Sequence, residues 1–277
     1  MASPRTLIVG GDSMIGKALA ERLSADGLDV ASTSRRQGSD VPLDLSAISD
    51  AGRLTAGYDC IVLAAAVTGR AACQADSDRA YAVNVTAPLA LATPVLARSG
   101  RVLFLSTHTV LGGAKPFLEV DAPYEPPDLY AEHKAEAERR LRGLPGSAGL
   151  TIVRPTKVLA STAGLIQQWA SSIARQTTID VYEDLVMAPV SLGHVVDTIA
   201  ANLRRPSPEI VHLSGSTEIS YADFTIELAG RMGWQRDHLN RMKGRPVNPI
   251  AAITPPHASL AAAAPQDLEA VFSELTR

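Results

Sequence analysis

The feature that most constrains the fold is a regular alternation of short apolar runs with longer segments of helical periodicity. The apolar runs lie at residues 7–9, 30–34, 41–45, 60–63, 101–105 and 151–154, and the helical segments between them include residues 17–25, 75–98 and 129–142. Strands that are apolar along nearly their whole length are typical of a parallel sheet covered by helices on both faces. The chain order therefore predicts an α/β fold, a doubly wound parallel sheet of the Rossmann type.

After residue 155 this alternation becomes irregular. Helical periodicity returns at residues 167–175, 221–232 and 266–275, and one further strand is predicted at residues 210–213. Closely spaced prolines in the tail that begins at residue 245 disfavour regular structure there. We predict a dinucleotide-binding Rossmann domain made of residues 1–160 and 187–216, and a smaller C-terminal substrate-binding lobe made of residues 161–186 and 217–277.

Composition excludes several classes of protein. A chain of 277 residues can bury a full core, and its two cysteines are too few for a disulfide framework or a zinc site. A net charge of −3 excludes a generally basic nucleic-acid-binding protein. We find no apolar stretch like a signal peptide or like the roughly 20 residues that span a bilayer, and the six histidines show no ligand spacing. We expect a cytoplasmic protein with no metal site and no membrane or nucleic-acid partner.

A turn rich in glycine directly follows the first predicted strand. It reads Val9-Gly-Gly-Asp-Ser-Met-Ile-Gly16, so serine stands at the middle position of a Gly-x-x-Gly-x-x-Gly pattern. Glycines at a strand-to-helix junction let the backbone approach a diphosphate, which the free amides of the helix N-terminus then bind. The cofactor contacts predicted here are Gly10, Ser13, Met14, Ile15 and Gly16.

The end of the second predicted strand distinguishes NADP from NAD. An acidic residue there binds the ribose 2′-hydroxyl, whereas arginine accommodates a 2′-phosphate. The sequence has Thr33-Ser-Arg-Arg36 and no acid, which favours NADP(H), with NAD(H) as the alternative. Further cofactor contacts are predicted at Ser34, Arg35 and Arg36, at Asp44 and Leu45 beside the adenine, and at Ala64, Ala65 and Ala66 after the fourth strand.

A tyrosine and a lysine lie one turn apart at the start of the helix predicted at residues 129–142. Tyr130 and Lys134 are four residues apart, so their side chains share one face. A nearby lysine cation lowers the pKa of a tyrosine, which would let Tyr130 donate a proton to a carbonyl oxygen as a hydride reaches the carbon. Ser106 and Thr107 follow the strand at residues 101–105, and we expect one of these hydroxyls to polarise the same carbonyl.

Together these motifs resemble those of the extended short-chain dehydrogenases/reductases, most closely the dTDP-4-dehydrorhamnose reductase branch. Residues 106–113, Ser-Thr-His-Thr-Val-Leu-Gly-Gly, are similar to the Ser-Thr-Asp-Tyr-Val-Phe-x-Gly pattern of that branch, and Tyr130-x-x-x-Lys134 matches the catalytic pair of the superfamily. Weaker likenesses lie around Asn84, at residues 184–189 and at Arg245-Pro-Val-Asn248. The resemblance extends over nearly the whole chain.

The resemblance implies a role for each catalytic residue. Thr107 would orient the substrate carbonyl, Tyr130 would be the acid, and Lys134 would hold the nicotinamide ribose and tune Tyr130. Ser106 and Pro155 would add cofactor contacts, as would Tyr130 and Lys134 themselves. The long helical segments would form the homodimer that is common in the superfamily.

Several departures from the family pattern lie at pocket positions. His108 and Thr109 stand where the dehydratases have Asp-Glu and the reductase branch has Asp-Tyr, which disfavours 4,6-dehydration. The residues predicted to contact substrate are Thr68, His108, Lys157 and Arg245.

The sequence therefore predicts an enzyme, an NADPH-dependent reductase of a keto group on a nucleotide-activated deoxysugar. One alternative is an NAD-dependent nucleotide-sugar epimerase, which Arg35 and Arg36 disfavour. The other is a non-catalytic nucleotide-binding subunit of the same fold, which the presence of Thr107, Tyr130 and Lys134 disfavours. The sugar and the carbon that is reduced stay open.

Overall fold

A parallel sheet with helices packed on it organises the first half of the chain. The computed structural model describes residues 4–35, 39–204, 209–243 and 257–277, so the predicted contacts Arg36 and Arg245 lie outside the described residues. The prediction of an irregular tail from residue 245 also falls mostly outside them. The strands are β1 (Thr6–Val9), β2 (Val30–Ser34), β3 (Val41–Pro42), β4 (Cys60–Leu63), β5 (Arg101–Leu105), β6 (Leu150–Pro155), β7 (Lys157–Leu159), β8 (Ile179–Tyr182), β9 (Val186–Met187), β10 (Pro189–Ser191), β11 (Ile210–Leu213), β12 (Ile219–Ser220) and β13 (Leu239–Met242).

The helices follow the same order along the chain. They are α1 (Met14–Ala25), α2 (Ala51–Thr55), α3 (Arg70–Ala75), α4 (Ser77–Tyr81), α5 (Ala87–Ala97), α6 (Leu129–Arg142), α7 (Gly164–Ala174), α8 (Leu192–Arg204), α9 (Tyr221–Met232) and α10 (Leu268–Leu275). The bounds predicted for α6 and α9 are confirmed, because both helices show clear apolar periodicity. We did not predict α8, although its buried Val195, Val196 and Ile199 have helical spacing.

The main sheet has the strand order of a doubly wound fold. In the described residues seven parallel strands lie in the order β11-β6-β5-β4-β1-β2-β3. Leu7 of β1 pairs with Ala31 on one side and with Ile61 of β4 on the other, so the chain changes direction across the sheet between β1 and β4. Ligands of such sheets bind beyond the carboxyl ends of the strands at this switch point. The predicted fold class is confirmed.

The third strand is shorter than predicted. We expected a strand at residues 41–45, but β3 ends at Pro42 and a 3₁₀ turn begins at Leu45. The turn forms because Asp44 caps it, accepting a hydrogen bond from the backbone amide of Ser46 at 2.9 Å. Side chains of aspartate compete in this way with sheet hydrogen bonds.

The predicted helix at residues 75–98 is also divided. Asp76 caps α4 and separates it from α3, and a single π turn, Ala82–Thr86, joins α4 to α5. We expected no segment long and apolar enough to cross a membrane, and this expectation is wrong. The helical stretch Ser77–Ala97 has the length and the composition of a membrane span. Its apolar window is 61% buried inside the protein, and Leu91 and Val95 belong to the core beside the sheet. We therefore describe this stretch as a core helix.

The chain forms two compact units. The first contains residues 1–110, 128–154 and 196–211, and the second contains residues 111–127, 155–195 and 212–277. Relative to the predicted domain boundaries, four segments group with the second unit instead of the first: residues 111–127, 155–160, 187–195 and 212–216. The core of the first unit lies along β1, β4 and β5, with Leu7, Ile61 and Phe104 fully buried.

The second unit has its own apolar core and short strand pairs. Phe224 and Phe272 stack with ring centroids 4.8 Å apart, and Trp169 packs beside them. Three two-stranded pairs, β7 with β10, β8 with β13 and β9 with β12, belong to the described part of this unit.

Candidate functional site

The glycine turn after β1 has a conformation that only glycine adopts without strain. Gly10 has a φ of +95°, and a Cβ placed there would lie 2.7 Å from the Cβ of Ala65. A Cβ on Gly16 would lie 2.2 Å from the carbonyl oxygen of Gly10. The sequence Gly10-x-x-Ser13-x-x-Gly16 therefore fixes a tight turn whose backbone is open to a ligand on its outer side.

The serine within this turn acts as a helix cap. Ser13 Oγ donates to the carbonyl oxygen of Gly10 at 2.8 Å and accepts from the amide of Gly16 at 3.1 Å. A serine cap stabilises a helix by about 1 kcal/mol. The hydroxyl of Ser13 thus holds the turn at the start of α1.

A cavity of about 250 Å³ opens beside the turn, within the first unit. Eight predicted cofactor contacts line it: Gly10, Ser13, Ser34, Arg35, Asp44, Leu45, Ala65 and Ala66. Met14, Ile15, Gly16 and Ala64 are not among its lining residues. The lining residues that sequence reasoning missed are Asp12, Thr33, Leu43, Val67, Arg79 and Val83. Arg79 and Val83 come from the helical segment after β4, where no local motif indicates a ligand.

Two arginines give this cavity a cationic side. The charges of Arg79 and Arg35 help to lower the pKa of Asp44, although the largest cause is its hydrogen bonds from Ser46. The Oγ of Ser46 donates to Asp44 Oδ1 at 2.7 Å. Asp44 is therefore ionised at neutral pH, with one oxygen engaged in its own turn.

Tyr130 and Lys134 lie on the first two turns of α6. The carboxylate of Asp128 caps this helix by accepting from the amide of Ala131 at 2.9 Å. Lys134 is 1% exposed, and its Nζ lies 4.0 Å from the centre of the Phe104 ring. Burial lowers the pKa of Lys134 to about 7, against the opposing influence of the Glu138 charge.

The expected effect of Lys134 on the Tyr130 phenol is not found. Burial raises the pKa of Tyr130 above its ordinary value, and Cys73 and Asp128 raise it further. The reason is that the desolvation of a buried phenolate is costly and that the nearby charge of Asp128 disfavours a second negative charge. The prediction of a lowered pKa is corrected: Tyr130 is a protonated phenol throughout the neutral range.

The two hydroxyls after β5 have different partners. Ser106 Oγ donates to the buried carboxylate of Glu138. Thr107 Oγ1 lies 3.1 Å from the hydroxyl of Thr109 and accepts a longer bond, at 3.3 Å, from its amide. Ser106 as a cofactor contact and Thr107 as a substrate contact both stay predictions.

The loop after β4 is held by a buried asparagine. Asn84, in the π turn between α4 and α5, accepts from the amide of Val67 at 2.8 Å and donates to its carbonyl oxygen at 3.0 Å. This two-way bond places Ala65, Ala66 and Val67 against the cavity. The sequence pointed to Asn84 only as a family likeness, without its role.

The predicted substrate contacts are distributed over both units. Thr68 is exposed in the loop after β4, and His108 is half-buried in a 3₁₀ turn at the end of β5. Lys157 and Pro155 belong to the second unit, where Lys157 Nζ lies 5.8 Å from the ring centre of Tyr221. Across the described residues we find no group of three or more His, Cys, Asp or Glu side chains that could hold a metal ion.

Comparison with known proteins agrees with this geometry. The family model of the RmlD substrate binding domain matches residues 4–272. This chain belongs to that family. The resemblance to the dTDP-4-dehydrorhamnose reductase branch of the extended short-chain dehydrogenases/reductases is thus confirmed.

Two relatives and one solved structure illustrate the family. The dTDP-4-dehydrorhamnose reductase of Mycolicibacterium smegmatis is 26% identical over 203 residues, which cover 70% of this chain and 59% of the relative. The 4-hydroxy-2-methyl-3-oxo-4-farnesyl-3,4-dihydroquinoline-1-oxide ketoreductase of Stigmatella aurantiaca is 31% identical over 163 residues, 54% of this chain and 48% of the relative. The chain therefore spans about half to three fifths of the length of these two relatives.

The fold is shared over nearly the full length of a solved structure. The dTDP-4-dehydrorhamnose reductase of Bacillus anthracis, solved in complex with NADP, superimposes with a TM-score of 0.85 and 17% sequence identity, covering 100% of this chain and 98% of that one.

Proposed function

We propose that this chain is an NADP-dependent oxidoreductase that reduces a keto group of a nucleotide-activated deoxysugar. The observation that supports the proposal is the glycine-lined cavity after β1, together with Lys134 of α6, which lies over Phe104 of β5, the strand that precedes Thr107. Gly10 follows β1 and Thr107 follows β5, and the carboxyl ends of parallel strands meet at the same edge.

The residues around the cavity fit a dinucleotide with a 2′-phosphate. Gly10 has a positive φ, and a side chain at this position would collide with Ala65. Because glycine has no side chain, the backbone of the turn can approach a diphosphate closely. Arg35 and Arg79 line the same cavity and are suited to a phosphate dianion. The end of β2 carries no carboxylate that would select the 2′-hydroxyl of NAD. The family neighbour from Bacillus anthracis, solved with NADP, supports this choice.

When bound, NADPH supplies the hydride that the ketone carbon accepts. Tyr130 then donates its phenolic proton to the carbonyl oxygen, and its raised pKa keeps that proton in place until the oxygen becomes basic. Thr107 donates a hydrogen bond to the same oxygen, because its own oxygen accepts from Thr109. Lys134 holds the ribose and, with a pKa of about 7, can return a proton to Tyr130.

The substrate class rests on the family and on one relative. The Mycolicibacterium smegmatis relative is named for a nucleotide-activated 4-keto sugar, and the Stigmatella aurantiaca relative is named for a ketone on a dihydroquinoline oxide. Ketone reduction is common to both names, while the group around the ketone differs. We favour the nucleotide sugar because the family model matches nearly the whole chain.

The experiment offers NADPH and a panel of ketones to the purified protein and follows the loss of NADPH absorbance. We expect turnover with at least one 4-keto nucleotide sugar, none with the dihydroquinoline oxide, and none with Tyr130→Phe. The control Tyr182→Phe, which removes a hydroxyl from β8 in the second unit, should keep wild-type turnover. If only the dihydroquinoline oxide were turned over, the proposed nucleotide-sugar substrate would be wrong. If no ketone were turned over, the proposed reductase function would be wrong.

A further inference from the structure

The helix that carries Tyr130 and Lys134 also carries one completely buried carboxylate. Glu138 of α6 is 0% exposed, and it accepts hydrogen bonds from two side chains. Arg154 of β6 donates from Nε at 3.1 Å to Oε2 and at 3.2 Å to Oε1, and from Nη2 at 2.6 Å to Oε2. Ser106, at the end of β5, donates its hydroxyl to Oε1. We call Ser106, Glu138 and Arg154 the buried cluster.

Stability alone explains such a cluster poorly. Taking two charges out of water costs several kcal/mol per ion, and the replacement of a buried ion pair by apolar residues of similar volume is often neutral or stabilising. Arg154 is only 1% exposed, so solvent does not contribute to its pairing with Glu138. A role in fixing geometry is the better-supported use of a buried pair.

The three members of the cluster come from the elements that carry the catalytic residues. Ser106 directly precedes Thr107 on the chain. Glu138 lies four residues after Lys134 on α6, and therefore on the same face. Arg154 lies on β6, which pairs with β5 over residues 102–105. The carboxylate of Glu138 thus joins the strand end that bears Thr107 to the helix that bears Tyr130 and Lys134.

We propose that Glu138, held by Arg154, is a positioning residue that sets the placement of Thr107 relative to Tyr130 and Lys134. The expected effect of Glu138 on kcat rests on the function proposed above. Its expected effect on the position of Lys134 does not. The Lys134 ammonium lies over the ring of Phe104, two residues before Ser106 on β5. A change in the link between α6 and β5 must therefore move Lys134 relative to that ring.

The test uses a double variant, Glu138→Met with Arg154→Met. Removing both charges avoids the unpaired buried ion that a single substitution leaves, which is strongly destabilising. The single variant Glu138→Gln is measured beside it. The matched control is Glu209→Gln, which removes an exposed ion pair with Arg142 at the end of the same helix.

The first readout needs no substrate. The chain has five lysines, so a protein labelled with ¹³C at lysine Cε gives few signals, and that of Lys134 is assigned by its loss in Lys134→Arg. The Phe104 ring current shifts this signal. All samples are compared at about pH 5, well below the pKa of Lys134, so that loss of the Glu138 charge does not change the protonation state of the lysine. We expect the double variant to move the Lys134 signal and the Glu209→Gln control to leave it in place. A folded double variant with an unmoved Lys134 signal would overturn the proposal. If the double variant does not fold, an unmoved Lys134 signal in Glu138→Gln would overturn it instead.

The second readout separates binding from turnover. We expect kcat of the double variant to fall about 10- to 100-fold, as misplacement by about 1 Å can produce. The dissociation constant for NADPH, measured by nicotinamide fluorescence, should change by a smaller factor than kcat. The cavity lining contains no member of the cluster, and only the hold of Lys134 on the ribose is disturbed. An unchanged kcat contradicts the catalytic consequence. If the wild type turns over no ketone, the function proposed above fails, and the Lys134 signal still decides the positioning role.

Discussion

The two ends of the site in the first unit are built differently. The cavity beside the glycine turn is made of backbone and of exposed cations such as Arg35 and Arg79. The catalytic end is made of buried charges, with Lys134, Glu138 and Arg154 all at most 1% exposed. Under the proposed function, the first end would determine cofactor affinity and the second the rate of the chemical step. Substitutions at the two ends should therefore change different constants.

The largest effect is expected at the catalytic end. Tyr130→Phe removes the proton donor and should lower kcat about 10²- to 10⁴-fold, the usual contribution of a general acid. The dissociation constant for NADPH, measured by fluorescence titration, should stay within about twofold. A variant that keeps more than about a tenth of the wild-type kcat would remove Tyr130 from the mechanism.

The next effect concerns the glycine turn. Gly10→Ala should raise the dissociation constant for NADPH roughly 10- to 100-fold, because a Cβ at 2.7 Å from Ala65 displaces the turn and a positive φ adds about 1–2 kcal/mol of strain. Isothermal titration calorimetry measures this dissociation constant. The control is Gly27→Ala, where φ is +77° but no atom lies within 4 Å of an added Cβ. This control should lose stability and keep affinity, and equal losses of affinity in both variants would contradict the role of the turn.

A smaller effect is expected at the cationic side of the cavity. Arg35→Ala should weaken NADPH binding about 10- to 30-fold and leave the affinity for NADH nearly unchanged. A charged hydrogen bond contributes about 1.5–3 kcal/mol, and the exposure of Arg35 keeps this contribution near the lower end. Parallel titrations with the two cofactors measure the ratio. Arg53→Ala, which removes an exposed arginine of α2, is the control. A parallel loss for NADPH and NADH would show that Arg35 does not read the 2′-phosphate.

The mildest effect is the pH dependence of the catalytic end. Lys134 loses its proton as the pH rises through about 7, whereas the raised pKa of Tyr130 keeps the phenol protonated. If the ammonium is required, kcat/KM should fall roughly tenfold between about pH 6 and pH 8, in one descending limb. Lys134→Arg keeps a permanent charge and should flatten this limb. A flat wild-type profile, or the same limb in Lys134→Arg, would contradict the prediction.

The sequence predicted best what depends on neighbouring residues. β4 is apolar throughout and β1 is apolar except for Thr6, and the glycine turn is a local signal. The lining of the cavity followed from the same logic, since most of it consists of the residues just after β1, β2, β3 and β4. The sequence did not predict Arg79 as a lining residue, because it belongs to a helix that reaches the cavity only in the folded chain.

What could not be predicted depends on distant contacts and on burial. Ser106 and Glu138 are 32 residues apart in the chain, and Arg154 is 16 residues from Glu138. No periodicity reveals that these side chains meet. The pKa of Tyr130 was predicted in the wrong direction because spacing shows the neighbouring lysine but not the loss of water around the phenol. Both failures lie at the catalytic end.

The most direct test measures NADPH affinity and ketone-dependent NADPH oxidation on the same samples of wild type, Arg35→Ala and Tyr130→Phe. We expect Arg35→Ala to need more NADPH yet to reach the wild-type kcat, and Tyr130→Phe to bind NADPH as the wild type does yet to oxidise almost none. If both constants changed together in both variants, the separation of a binding end from a catalytic end would be contradicted.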